Sequence, residues 1–237
     1  MFKRLLTLEW KAFFRSASLG KSLSLKILMG FLALYFITIF LLGGIGLYPL
    51  IDKYFPGEEP IVVVNRYVLL WLLAELTVRF FLQSLPVLNI KPLLALPVVK
   101  REVVKFVLFK SIFTFFNLLP LLLIIPFGIF NLYKSSFSEI GIFAWMCSMT
   151  GLTLSVNFAN FIIKKKFTDD LRTLFPLVIV VISLAILDYL NVFEISLFVS
   201  QALDLVIPYP WLSIFPILLF AALFVWNKYR LESKFYL

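Results

Sequence analysis

The sequence predicts an all-α, polytopic membrane protein, and three observations carry that prediction. First, 62% of the 237 residues are hydrophobic and the mean hydropathy is +1.02. A soluble domain holds about 45–50% apolar residues, and a globule of this size could not cover so much apolar surface with polar side chains. Second, the apolar residues fall in long runs, six of which can each cross a hydrocarbon core of about 30 Å, a distance of about 20 helical residues. Backbone groups left unpaired in lipid cost several kcal/mol each, so these runs must be helical. They are also too continuous for barrel strands, which alternate over about ten residues. Third, basic and non-basic connections alternate strictly along the chain.

Residues 1–24 read as an amphipathic helix lying in the membrane interface. Phe2, Leu5, Leu6, Trp10, Phe13 and Phe14 recur at helical spacing, while Lys3, Arg4, Lys11 and Arg15 can turn toward headgroups. No short apolar core precedes a small-residue cleavage site, so the segment does not read as a signal peptide. A six-span domain follows over residues 25–237. Its spans are predicted at Leu25–Ile51, Ile61–Leu88, Val103–Leu132, Phe137–Ile163, Thr173–Leu190 and Pro210–Asn227. Pro120, Pro126, Pro176 and Pro216 are expected to kink their spans. Between the fifth and sixth, residues 191–209 are apolar but interrupted by Glu194, Gln201 and Asp204 and stopped by Pro208 and Pro210. A further span there would break the charge alternation, so a re-entrant or surface helix on the outer side is expected.

Lysine and arginine set the orientation. Lys91, Lys100, Arg101 and Lys105 lie between spans two and three. Lys164, Lys165, Lys166 and Arg172 lie between four and five, and Lys228, Arg230 and Lys234 follow the last span. The other connections are poor in base and carry Asp52, Glu58, Glu59, Glu139, Glu194 and Asp204. The positive-inside rule therefore places both termini in the cytoplasm. The net charge of +9 reads as basic cytoplasmic loops rather than as a nucleic-acid surface.

The absence of histidine and the single Cys147 remove intramolecular disulfides, His/Cys metal sites and Ser–His or Cys–His hydrolysis. Cys147, beside Met146 and Met149, reads as a packed apolar residue. "SASLGKS" at 16–22 ends like a phosphate-binding loop, but the position that requires its first glycine is Arg15. The chain is therefore expected to hold no nucleotide site and no cofactor of its own. The second span is the most polar, with Asn65, Arg66, Glu75 and Arg79. Glu75 and Arg79 are one turn apart and can pair; the pair reads as a structural lock, a pathway lining or a proton relay. Asp188 and Glu194 read as an acidic outer rim, either solvated helix ends or a gate.

The stretch "LLALPVVKREVVKFVLFKS" (93–111) resembles the loop between spans two and three of type-2 ABC exporter permeases. Leu93, Leu94, Pro97, Val98, Lys100, Arg101, Glu102 and Lys110 stand at the positions of that pattern. The interfacial N-terminal helix, six spans and re-entrant outer segment are also that family's layout, and "LTLEWKAFFRSASLGKSLSLKILMGF" resembles a large bacterial family of uncharacterised permeases of this type. The resemblance implies a coupling loop, residues 89–102, that docks on a separate ABC-type ATP-binding subunit carrying ATP and Mg. Leu93, Leu94 and Leu96 would enter its groove, with Pro97, Lys100, Arg101 and Glu102 beside them. It also implies a second permease half, by homodimerisation or within a longer chain, in a bacterial inner membrane. The cargo expected is an unidentified amphipathic substrate. The alternatives are an ion-coupled secondary transporter using Glu75 and Arg79, for which the sequence shows no inverted repeat, and a non-transporting membrane assembly subunit.

Overall fold

A computed structural model describes residues 6–7, 11, 23–83, 99–167, 179, 182–183, 186, 188 and 195–235. The described part is α-helical throughout, apart from turns and one short 3-10 segment. The helices are α1 (Leu23–Tyr54), α2 (Pro60–Leu82), α3 (Lys100–Ile112), α4 (Phe115–Lys134), α5 (Glu139–Phe167), α6 (Ile195–Val206) and, after a 3-10 turn at Pro210–Ser213, α7 (Ile214–Phe235). Among the described residues α1, α2, α4, α5 and α7 are long and apolar enough to cross a membrane. The protein is thus a multi-pass, all-α membrane protein. These five match the expected spans one, two, three, four and six. The expected fifth span, and the interfacial helix at 1–24, lie outside the described residues except for isolated positions.

One expectation is corrected. The third span does not run unbroken from Val103 to Leu132; it divides at Phe113 and Thr114, where Thr114 is extended (φ −82°, ψ 155°). The cause is side-chain capping. The Asn117 amide donates to the carbonyls of Ser111 (3.0 Å) and Ile112 (2.9 Å), and Thr114 Oγ1 donates to Ser111 O (3.0 Å). These bonds satisfy the carbonyls that the end of α3 leaves free. What precedes the break is an amphipathic segment: Val103, Val104, Phe106, Val107 and Leu108 are buried, while Arg101, Lys105 and Lys110 are exposed. Of the two helices only α4, 20 residues long, is long enough to cross a membrane. Pro120 and Pro126 lie inside α4. Pro216 falls in the first turn of α7, where the helix has no N–H bond to lose.

Helix α5 is the centre. It packs on α2, α4 and α7, and half of its spanning window is buried, against 6% for α1 and for α7. Two apolar cores flank it. Toward the end of the molecule that carries Glu59, Ile61, Val68, Ile124, Phe127, Trp145 and Met149 pack together with Leu203 of α6. Toward the end that carries Arg101 and Lys164, Val104 and Leu108 of α3 meet Phe158, Phe161 and Leu231. Close approach of backbones joins the outlying spans to this centre. A Cβ on Gly44 would lie 2.6 Å from the Leu123 carbonyl oxygen, and one on Gly151 would lie 3.1 Å from the Pro216 backbone. Van der Waals packing across small residues is what holds helices together where lipid is as apolar as leucine. The short helix α6, about 18 Å long, cannot cross a bilayer. It turns Ser200, Leu203 and Val206 inward and packs on α2, a short helix within the 191–209 segment where one was expected.

Candidate functional site

A line of polar side chains one turn apart, Glu75, Arg79 and Gln83, runs down α2 to its end. Arg79 is 1% exposed and every part of its guanidinium is engaged. Nε and Nη2 donate to Glu75 Oε1, Nη2 donates to Phe116 O (2.7 Å), and Nη1 donates to Gln83 Oε1 (3.4 Å) and Asn157 Oδ1 (3.5 Å). Gln83 Nε2 donates to Asn157 Oδ1 at 2.8 Å, and Asn157 Nδ2 reaches Ser111 Oγ at 3.4 Å. Asn160 Nδ2 reaches Gln83 Oε1 at 3.5 Å. Lys164 closes the end of α2 by donating to the carbonyls of Phe80 and Gln83, both at 2.7 Å, the placement that suits a cation at a helix C-terminus. Three helices therefore converge on one arginine. The acceptor at Phe116 and the hydroxyl at Ser111 lie on the two sides of the break between α3 and α4.

A charge at mid-membrane costs about 2.5–3.5 kcal/mol on insertion scales. The ion pair with Glu75 reduces that cost, and so does the bonding of all five guanidinium hydrogens in a buried site. Glu75 is less completely satisfied: its Oε2 is buried and makes no hydrogen bond. The carboxylate edges a cleft of about 200 Å³ between α1, α2 and α4, walled by Phe40, Trp71, Phe116 and Pro120. A second cleft of about 440 Å³ adjoins it, shares Trp71, and continues past Tyr67 and Leu123 toward Phe55.

Asn65 and Arg66 do not belong to this network. Asn65 lies fourteen residues before Arg79, about 21 Å along the helix. It is fully buried, accepts from Trp145 Nε1 (2.7 Å) and donates to Asp204 Oδ1 (2.7 Å), so it ties α2 to α5 and to α6. Arg66 points outward to Glu58, both side chains being more than a third exposed, and such pairs contribute about 0–1 kcal/mol. Asp188 was expected at a rim, either as a solvated helix end or as a gate. It is buried, and its Oδ1 accepts from Ser196 N at 2.8 Å, capping the start of α6. Glu194 lies outside the described residues.

The segment expected to couple is described only in part. Leu93, Leu94, Leu96 and Pro97 lie outside the described residues, and Lys100 begins α3. Arg101 reaches Glu232 of α7 at 3.7 Å, and Glu102 pairs with Lys105 on its own helix at 3.1 Å. Cys147 is half-buried on α5. Among the described residues no three His, Cys, Asp or Glu side chains come together as a metal site.

Sequence reasoning missed Gln83, Ser111, Asn117, Asn157, Asn160 and the bridging role of Asp204. A signal was present: Thr153, Asn157, Asn160 and Lys164 repeat at three- and four-residue spacing on α5, one polar stripe along the helix. It also missed Glu59. This half-buried carboxylate precedes α2 and accepts from Ser135 Oγ (2.9 Å), Ser136 Oγ and Ser136 N (3.3 Å), joining the loops before α2 and α5. Burial pushes its pKa up, but the hydroxyls of Ser136 and Ser135 and the Ser136 N–H outweigh burial and hold it below the ordinary 4.5. Because the folded value lies below the unfolded one, the tie stabilises fully above about pH 5 and is lost as pH falls through the folded pKa. We expect the unfolding midpoint to drop on acidification from about pH 5 to pH 3.5, by an amount worth less than about 1 kcal/mol. Glu59→Gln should remove that part of the drop, as thermal unfolding in detergent at each pH would show; an unchanged profile in the variant would refute it.

One family model, described as a family of unknown function (DUF5687), matches residues 9–237. No curated protein and no solved structure matches the chain.

Proposed function

We propose that this chain, which belongs to the DUF5687 family, is the membrane-spanning permease subunit of an ABC exporter. It would move an unidentified amphipathic substrate with energy from ATP hydrolysed on a separate subunit, and would itself catalyse no reaction. In this reading it sits in a bacterial inner membrane with both termini in the cytoplasm, and a second permease half completes the pathway. The charge alternation along the sequence supports the orientation, and the pattern at 93–111 supports the docking of an ATP-binding subunit.

The observation that carries the reading is the double attachment of α2. At one end Arg79 is bonded to the backbone just beyond the break that follows α3, and at the other Asn65 holds Asp204 of α6. Helix α3 continues directly from the segment expected to dock. A displacement of α3 would thus reach α2 through Phe116 and Ser111, travel along a 23-residue helix and arrive at α6. That is a mechanical linkage suited to a transporter driven from its cytoplasmic side. The ion-coupled alternative has less support, because Arg79 and Glu75 are locked together by direct bonds.

Gentle purification from the native membrane tests the proposal. An ATP-binding subunit should accompany the chain in fixed stoichiometry, and replacing Leu93, Leu94 and Leu96 with glutamate should reduce its recovery at least tenfold while leaving the chain in the membrane. Purification of a transport-active single component would overturn it.

A further inference from the structure

We propose that the cleft at Glu75 binds an uncharged, lipid-soluble amphiphile through a hydroxyl group. The inference goes beyond the transport reading, since it concerns what this chain holds whether or not an ATP-binding subunit stands beside it. Four observations lead to it. Glu75 Oε1 takes both donations from Arg79, whereas Oε2 is buried and accepts no hydrogen bond of normal geometry; the Trp71 side chain, one turn earlier, is at most a weak donor to the carboxylate. A buried acceptor left unmade is costly, and a ligand that supplies one donor recovers the loss. The charges of Glu75 and Arg79 cancel. An incoming cation or anion would therefore bring a new uncompensated charge into the hydrocarbon region, while a hydroxyl brings none. The cleft walls are otherwise apolar, and its flanks at Ala74 and Val78 are exposed on the face of a membrane helix, so entry is from the bilayer. The adjoining cleft beyond Trp71 offers room for an apolar body, and the two together fall in the ordinary size range of small-molecule sites.

The test uses the purified chain in lipid nanodiscs and a long-chain primary alcohol with a photoactivatable diazirine in its tail. Labelling is mapped by peptide mass spectrometry and competed with hexadecanol, hexadecyl methyl ether or hexadecylamine. Label should fall on α2 and α4, and hexadecanol should displace it at about tenfold lower concentration than the ether, with the amine weaker than the alcohol. Ala74→Phe, which narrows the mouth and leaves the ion pair alone, should cut labelling severalfold with the fold intact. Replacing the pair together, Glu75→Leu with Arg79→Met, should abolish the preference for alcohol over ether. Equal displacement by alcohol and ether, preference for the amine, or labelling indifferent to Ala74→Phe would each overturn the proposal. Co-purification of an ATP-binding subunit does not enter the readout, so the two proposals fail separately.

Discussion

Replacing Arg79 with methionine should destabilise the folded protein by about 3–5 kcal/mol, the largest effect expected of any single substitution here. The shape of the side chain is roughly kept, so lost packing is a minor part. The cost comes from Glu75, whose Oε1 loses its partner while Oε2 already has none. It also comes from Phe116 O, Gln83 and Asn157, which lose a shared donor. Because the damage is an uncompensated charge, removing the charge should repair part of it. The double variant Glu75→Leu with Arg79→Met should be markedly more stable than Arg79→Met alone. A double-mutant cycle measured by reversible unfolding in mixed micelles reads this coupling directly. Additive effects would mean that the two residues do not act as a unit.

Asn65→Leu should cost about 2–4 kcal/mol, since it strands the Trp145 indole N–H and takes the amide donor from Asp204, and each such group left unmade costs about 1–3 kcal/mol. The leucine is apolar and of similar size, so the packing of Ile61 and Val68 nearby should survive. The prediction therefore separates hydrogen bonding from volume. Unfolding in the same micelles gives the stability, and accessibility of a cysteine placed at Leu205, an exposed position of α6, tests whether α6 loosens from α2. If α6 stays seated and stability is unchanged, Asn65 is not the tie it is taken to be.

Much of the architecture was legible because hydropathy and charge are strong, one-dimensional signals. Four of the five described spans begin within a few residues of where the apolar runs place them, α4 alone starting twelve residues late, and a short helix at 195–206 follows from its polar interruptions and prolines. The pairing of Glu75 with Arg79 was likewise written in their four-residue spacing. What could not be read was the break at Phe113 and Thr114, since apolar residues continue on both sides and only the cap-forming Thr114 and Asn117 mark it. The rest of the network was hidden for a related reason. Gln83, Ser111 and Asn157 are far apart in sequence, and uncharged polar residues in an apolar run do not announce which neighbour they face. The contact of Asp188 was not legible either, since its partner is a backbone N–H eight residues on.

The polar face of α5 has a consequence for how that helix is held in the membrane. Thr153, Asn157 and Asn160 on this face, and Ser148 and Ser155 on the other side of the helix, are all buried within the protein. Helix α5 also has the lowest mean hydropathy of the five described spans, 1.3. Asn157 and Asn160 find Arg79 and Gln83 only where α5 lies against α2. A helix of that kind carries part of its polar satisfaction on its neighbour, so the stability of α5 within the membrane depends on α2 beside it.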